Sequence, residues 1–182
     1  DLCRHYDLHP LSGIPQRGDE VFDVVNEDDE VVRQEQRGVV HQRNLLHRAI
    51  HAFIFNKGGE VFLQKRSRLK DVHPGTWDSS VAGHLNAGED YEACAVRELE
   101  EEAGQKGAEL KLVATLPPTV ETGWEFVHLF ELRQTNTIRF PCSEVDAGLW
   151  LSPDEVNRWI ARRPQDFASG FLECWKVWSA VP

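Results

Sequence analysis

The spacing of apolar residues changes along this chain, from a strand pattern to a helical pattern near residue 89. Before that point, β-branched and aromatic runs separated by turn residues predict strands at 21–25, 31–32, 50–55 and 61–64. The turn Asn56-Lys57-Gly58-Gly59 predicts a hairpin between the last two strands. Beyond the change, one helical face is predicted to carry Ala95, Val96, Leu99 and Ala103, with Gly104 as the helix stop.

The second half of the chain mixes strands and helices. Strands are predicted at 110–115, 125–132 and 148–151. Ser152-Pro153-Asp154-Glu155 is a capping sequence that predicts a helix to about Arg162. A last helix after Ser169 places four apolar residues at core spacing, namely Phe171, Leu172, Trp175 and Trp178. Mixed strands with helices on two faces predict the α/β class, as an α/β/α sandwich with a mixed sheet.

Composition limits the organisation and the partners. The length of 182 residues fits one domain, which we place at 20–182 after an irregular arm at 1–19. A net charge of -10 argues against binding a nucleic-acid polymer or a membrane surface. Four scattered cysteines (Cys3, Cys94, Cys142 and Cys174) and no spanning segment predict a soluble cytoplasmic protein with free thiols. The expected partner is a small anionic molecule, and a homodimer is left open.

Three glutamates near the end of the central helix are placed against helix stability. Glu98, Glu101 and Glu102 share one face, where like charges cost about 0.2–0.5 kcal/mol per pair and also oppose the helix dipole. A solvated acidic surface is one interpretation. A divalent cation is the other, because Mg²⁺ prefers a few carboxylates and keeps its remaining positions for water and phosphate.

The surrounding residues decide between these interpretations. Gly83-His-Leu-Asn-Ala-Gly-Glu89, seven further residues, and Arg97-Glu-Leu-Glu-Glu-Glu-Ala-Gly104 resemble the Nudix box. Every defined position matches as far as Gly104. Only Gln105 departs, where the family usually has an aliphatic residue, and that difference concerns packing after the helix.

The resemblance implies a Nudix hydrolase of diphosphates that uses Mg²⁺, with Mn²⁺ as the alternative ion. It implies that the metal ligands are Glu98, Glu101, Glu102 and the carbonyl of Gly83. Glu89 and Arg97 are expected to pair and hold the loop against the helix. The general base stays open between Glu101, Glu102 and Glu125.

A more particular resemblance extends beyond the box. The segments 46–51, 64–67 and 74–84 are similar to the Nudix branch related to isopentenyl-diphosphate isomerase. In that branch His41, His47 and His84 match metal-binding histidines, which implies a second metal site or the inert remainder of one. Glu125 matches the catalytic glutamate, but Ala82 stands where the isomerase has its catalytic cysteine. Hydrolysis is therefore favoured over isomerisation, and a catalytically silent ligand-binding module is the third alternative.

The sequence constrains the contacts with the substrate less than any other feature of the site. Arg66 is a candidate for binding phosphate, or for solvating the end of a strand. Trp77 and Trp124 either stack on a base or pack in the core. Nucleoside diphosphate derivatives, sugar nucleotides, coenzymes and isoprenoid diphosphates all remain candidate substrates.

Overall fold

A computed structural model of the protein describes residues 19–141 and 143–182. Its elements are β1 (Val21–Val25), β2 (Val31–Gln36), α1 (Arg37–Gln42), β3 (His47–Phe55), β4 (Val61–Arg66), β5 (Trp77–Asp78), β6 (Val81–His84), α2 (Tyr91–Ala103), β7 (Lys111–Leu116), β8 (Glu125–Arg133), β9 (Val145–Leu151), α3 (Pro153–Arg162), a 3₁₀ turn (Pro164–Asp166) and α4 (Ser169–Ala180). The expected arm lies outside these residues except for Asp19, as do Cys3 and Cys142. The division of the chain into an arm at 1–19 and a single domain at 20–182 stays a prediction.

The main sheet is mixed, and β3 lies at its centre. β3 runs parallel to β8 and antiparallel to β6, while β8 pairs antiparallel with β7. β4 pairs antiparallel with β5 and β9, and β1 and β2 form a separate two-stranded sheet. The hairpin predicted between β3 and β4 pairs only at Phe55 and Val61, because both strands diverge from that turn to other partners.

Alternating side chains of β3 serve the two faces of the sheet. Ile50, Ala52 and Ile54 are buried in a core cluster with α2. Phe53 and Phe55 are buried in a second cluster with α3 and α4. Successive side chains of a strand point to opposite faces, which produces this division. Helices packed on both faces of the mixed sheet confirm the predicted α/β/α sandwich.

The central helix stops at Gly104 as predicted, and three of the four residues predicted on its buried face, Ala95, Leu99 and Ala103, are buried. Asp90 caps its start, its side chain accepting a hydrogen bond from the Ala93 amide, and Gly104 ends it with a left-handed φ of 67°. Val96 was expected on the buried face and is instead 47% exposed. Glu98, one of the three glutamates on the acidic face, is buried. Cys94 and Glu98 therefore widen the buried face of the helix beyond the predicted residues.

Other parts of the prediction hold with small shifts of boundary. The capped helix α3 covers Pro153–Arg162, and the core positions predicted in α4 pack in the second cluster, with Leu172 and Trp178 at its partly buried margin. The short elements α1, β5 and β6 were not predicted. Cys94 and Cys174 are buried free thiols. Among the described helices none is long and apolar enough to cross a membrane.

Gln105, the residue that departs from the Nudix box, is 2% exposed and acts through its amide rather than through apolar packing. Its Nε2 donates to the carbonyls of Ala103 and Asn136, each at 3.0 Å. Its Oε1 accepts from the Thr135 amide at 2.9 Å. These bonds fasten the segment after β8 to the end of α2.

We therefore expect Gln105→Leu to destabilise the protein although it restores an aliphatic residue. Leucine removes the hydrogen bonds that Gln105 makes with the Thr135 amide and with the Ala103 and Asn136 carbonyls, at about 0.5–1.5 kcal/mol for each bond. Urea unfolding followed by tryptophan fluorescence measures the loss. Gln42→Leu, at an exposed glutamine of α1, is the matched control, and an equal effect in both variants would contradict this role.

Candidate active site

A cavity of about 390 Å³ opens beside β3 and β6 and is walled by α1, the loop before β8 and the first turn of α4. Cross-strand pairing sets which side chains face it. Ala82 lies opposite His51, and His84 lies opposite Ala49, and all four residues line the cavity. Of the residues singled out from the sequence, the lining includes His41, Arg66, Gly83, His84, Trp124 and Glu125.

Arg97 ties the loop before α2 to the acidic face of that helix. Its Nε and Nη2 donate to the two Glu89 oxygens at 2.8 and 2.9 Å, which is the bidentate geometry of a strong charge-assisted pair. Its Nη1 donates to Glu98 Oε1 at 2.8 Å. Glu101 is more remote, with its carboxylate 3.6 Å from Arg97 and its side chain 62% exposed. Glu98 is thus the most firmly held of the three.

Glu98, which is buried, and Glu102, which is half-buried, form a pair of like charge. Burial raises the pKa of Glu98 in spite of Arg97. Burial and the adjacent Glu98 charge raise the pKa of Glu102 well above its usual range, while Lys70 opposes the shift. Two neighbouring carboxylates of this kind need either a shared proton or a cation. The chemistry of these oxygens therefore fits a hard divalent ion.

Gly83 separates the helix carboxylates from the cavity. A Cβ at this position would collide with the Glu98 side chain, so the glycine lets the Glu98 carboxylate lie where it does against β6. Ala82 and His84, its neighbours in β6, point to the cavity because side chains alternate along a strand. Gly83 lines the cavity as well. It is consequently within reach from both sides of the sheet.

A second group of ligand atoms converges inside the cavity wall. His41, His47, His84 and Glu125 each present an atom, and these atoms all lie within 4.8 Å of one another. The parallel register of β3 and β8 places His47 beside Glu125. His41 comes from α1 and His84 from β6. The family resemblance implied that the three histidines are neighbours, and the structure places them together with Glu125.

The hydrogen bonds of His47 orient it as a ligand. Its Nδ1 lies 2.8 Å from the Leu45 carbonyl, so the proton belongs on Nδ1 and a lone pair remains on Nε2. That Nε2 is buried and has no hydrogen-bond partner among the described residues. It lies 3.5 Å from Glu125 Oε1, another electron-rich atom. A cation between them resolves this contact, so the residues present fit a metal ion.

The protonation states in this cluster favour metal binding. Burial, with the nearby His84 and Arg37, lowers the pKa of His41 to about 4. Burial also lowers the pKa of His84. Burial opposes ionisation of Glu125, but the His84 and His47 imidazoles outweigh it and hold its pKa well below the usual range. Neutral imidazoles and an ionised carboxylate are the forms that coordinate metals.

The candidate substrate residues separate into two groups. Arg66 and Trp124 line the cavity, and Trp124 has a left-handed φ of 65°. Trp77 is not among the lining residues. It packs edge-on against Trp159 with ring centroids 5.3 Å apart, which is the core alternative.

Arg37 and His51 are two of the cavity residues that the sequence analysis did not single out. Arg37 is 5% exposed and its guanidinium donates to both oxygens of Asp71 at 2.9 and 3.2 Å. It precedes His41 by one helical turn of α1, a spacing visible in the sequence only once that short helix is known. His51 lies in β3, and its strand position alone gave no sign that it faces a cavity.

Comparison with known proteins identifies relatives of this chain. A family model described as the NUDIX domain matches residues 45–169. A Nudix hydrolase of Deinococcus radiodurans is 34% identical over 145 residues, covering 79% of this chain and 85% of that protein. An isopentenyl-diphosphate Delta-isomerase of Serratia proteamaculans is 31% identical over 163 residues, covering 87% and 90%. A crystal structure of a Deinococcus radiodurans protein superposes with a TM-score of 0.75 at 30% identity, covering 90% of this chain and 100% of that one. Both parts of the predicted resemblance are confirmed.

We expect a transition metal to occupy the cluster of His41, His47, His84 and Glu125. In crystals soaked with Zn²⁺, an anomalous peak should lie about 2.0–2.1 Å from at least two of the ring nitrogens. His41→Ala should remove the peak, whereas His73→Ala, at an exposed histidine that also lines the cavity, should keep it. A peak that survives His41→Ala unchanged would argue against this ligand set.

Proposed function

Because this chain belongs to the Nudix hydrolase family, we propose that it is a metal-dependent enzyme that cleaves a diphosphate linkage in a small organic substrate of the nucleoside-diphosphate-X type. One observation supports this most. Glu98 is buried directly behind Gly83, whose other side faces the cavity, and it lies beside the half-buried Glu102 at the end of α2. Two neighbouring acids in this position conflict with the stability of the helix, and such conflicts mark functional sites.

We propose that Glu98, Glu101, Glu102 and the Gly83 carbonyl hold Mg²⁺, with Mn²⁺ as the alternative. When bound, the ion polarises the diphosphate and lowers the pKa of a bound water. The chain itself provides the orientation. Arg97 fixes Glu98 and the loop through Glu89, which keeps the carboxylates in place before the ion arrives.

We propose that either Glu101 or Glu102 acts as the general base. Glu125 is the competing residue, but its Oε1 lies 2.8 Å from His84 Nε2 and 3.5 Å from His47 Nε2, so its carboxylate is already engaged by two imidazoles. We assign Glu125 to the histidine cluster. There it serves as a ligand of a second metal, with His41, His47 and His84.

Charges in the cavity suit an anionic substrate. The chain carries a net charge of -10, yet Arg37 and Arg66 both line this cavity. Guanidinium groups bind phosphate oxygens in a bidentate manner. Trp124 offers an aromatic surface for the organic part of the substrate. We place the enzyme in a reducing compartment such as the cytoplasm, where the buried Cys94 and Cys174 stay reduced.

An isomerase-like activity is the second candidate, because the Serratia relative carries that name. Ala82 argues against it. This residue lines the cavity on β6, and its methyl group has no proton to exchange with a substrate carbon. A catalytically silent binding module is the third candidate, and the complete set of helix glutamates argues against that.

Glu101→Gln and Glu102→Gln should each lower hydrolysis by orders of magnitude while the protein remains folded, since each removes metal charge without creating a cavity. Glu102→Gln should also raise the melting temperature of the metal-free protein, because it relieves repulsion with buried Glu98. Phosphate release from a panel of diphosphates with Mg²⁺ measures the activity. Glu100→Gln, at the exposed neighbour, is the control. Hydrolysis at the wild-type rate in both Glu101→Gln and Glu102→Gln would refute the metal assignment.

The purified protein should not interconvert isopentenyl and dimethylallyl diphosphate, with Mg²⁺ or with Zn²⁺ supplied. The reason is the missing proton donor at Ala82. Incubation in deuterated water followed by mass spectrometry detects even slow isomerisation through deuterium uptake. Metal-dependent incorporation into the allylic product would overturn the hydrolase assignment and favour the second candidate.

A further inference from the structure

His51 is a buried histidine of the cavity that the proposed chemistry does not yet use. It is 6% exposed, and its Nδ1 lies 2.6 Å from the Ser79 hydroxyl oxygen. Its Nε2 makes no hydrogen bond with any other described residue. A Cβ built on Gly170 would stand 3.5 Å from this Nε2, so the ring edge faces the α4 wall of the cavity. The ring is therefore held by a hydrogen bond at Nδ1, while Nε2 is available to a ligand.

Asp78 joins His51 to Arg66. One Asp78 oxygen lies 3.9 Å from His51 Nδ1, and the other accepts from Arg66 Nη1 at 3.1 Å. Asp78 is 4% exposed and also accepts the Ser79 amide at 2.7 Å. A buried carboxylate with these partners fixes the position of both side chains. The imidazole and the guanidinium thus flank one anchor and both line the cavity.

The strand opposite His51 leaves space in front of it. Ala82 is its cross-strand partner, and directly opposed residues have Cβ atoms about 4.5–5.5 Å apart on the same face. Alanine at 82 and glycine at 170 are the two small residues next to the ring. A ligand can therefore approach Nε2 from the cavity.

We propose that His51 binds a non-bridging phosphate oxygen of the substrate through Nε2–H, beside Arg66; the inference rests on the diphosphate hydrolase function proposed above. An anion that enters next to the guanidinium selects the forms of the ring that carry a proton on Nε2. Donation by the Ser79 hydroxyl to Nδ1 provides one such form. Ser79 and Asp78 act as positioning residues for this contact.

Two amide substitutions test the roles of the two ring nitrogens separately. His51→Asn keeps a polar group where Nδ1 meets Ser79 but does not reach the cavity, whereas His51→Gln extends an amide toward the Nε2 position. Binding of methylenediphosphonate, a diphosphate that cannot be hydrolysed, is measured by calorimetry with Mg²⁺ present. His51→Asn should bind it about tenfold or more weakly, as expected for loss of a hydrogen bond to a charged group. His51→Gln should recover most of that loss.

Kinetics supply an independent readout. With a diphosphate that the wild-type protein hydrolyses, His51→Asn should raise KM with little change in kcat, as for a residue that binds substrate and transition state alike. His128→Asn, at a histidine stacked on Tyr91 outside the cavity lining, is the control and should bind as wild type does. Melting temperatures verify that each variant is folded.

The outcomes distinguish this inference from the proposed function. Equal binding of methylenediphosphonate by wild type and folded His51→Asn overturns the contact while leaving hydrolysis intact. A fall in kcat at constant KM also overturns it and makes His51 a proton-transfer group. Failure of the wild-type protein to bind the probe overturns it as well. Binding that is weakened in His51→Asn, in a wild-type protein that hydrolyses no diphosphate, supports the contact and counts only against the proposed function.

Discussion

The parallel pairing of β3 with β8 is the interaction on which the rest of the structure depends. It runs in continuous register from His47 and Glu125 to Phe55 and Arg133. Parallel strands need both faces covered, which is why helices lie on each side of this sheet. The same register brings an imidazole beside a carboxylate at one end of the pairing. Fold and candidate chemistry therefore share one set of backbone hydrogen bonds.

Around this pairing, the protein tolerates charges that a structure selected only for stability would avoid. Glu98 is buried against Gly83, and the half-buried Glu102 lies beside Glu98. Arg97 compensates only part of this charge, because it also binds Glu89. The remaining repulsion is a local conflict of the kind that functional sites retain. A bound cation would turn it into a favourable interaction.

The two candidate metal centres differ in their ligand chemistry and lie on opposite faces of β6. Carboxylates behind Gly83 are hard oxygen ligands of the kind that Mg²⁺ prefers. Imidazoles around His84 suit transition ions better. Consecutive residues of one strand point to opposite faces, so a single strand serves both centres. Arg97 also connects them, since its Nη2 donates to the His84 carbonyl at 3.3 Å.

The sequence by itself determined the features that depend on neighbouring residues. Period-two and helical spacing, the Ser152 cap and the Gly104 stop gave most strands and helices, because these signals act within a few residues. The spacing of fixed residues in the box, from Gly83 to Gly104, pointed to the family and to the helix glutamates. Gln105 was recognised as a departure, although its hydrogen bonds were not foreseen.

Only the tertiary structure decided which distant residues meet. His47 and Glu125 are far apart in the chain and become neighbours through strand register, which no local pattern encodes. The burial of Glu98 and the exposure of Val96 depend on how α2 packs against β6. The same long-range packing places Trp77 against Trp159, and it places Arg37 and His51 in the cavity wall. Such contacts arise from the whole chain closing on one core, so their physical cause lies outside any short segment.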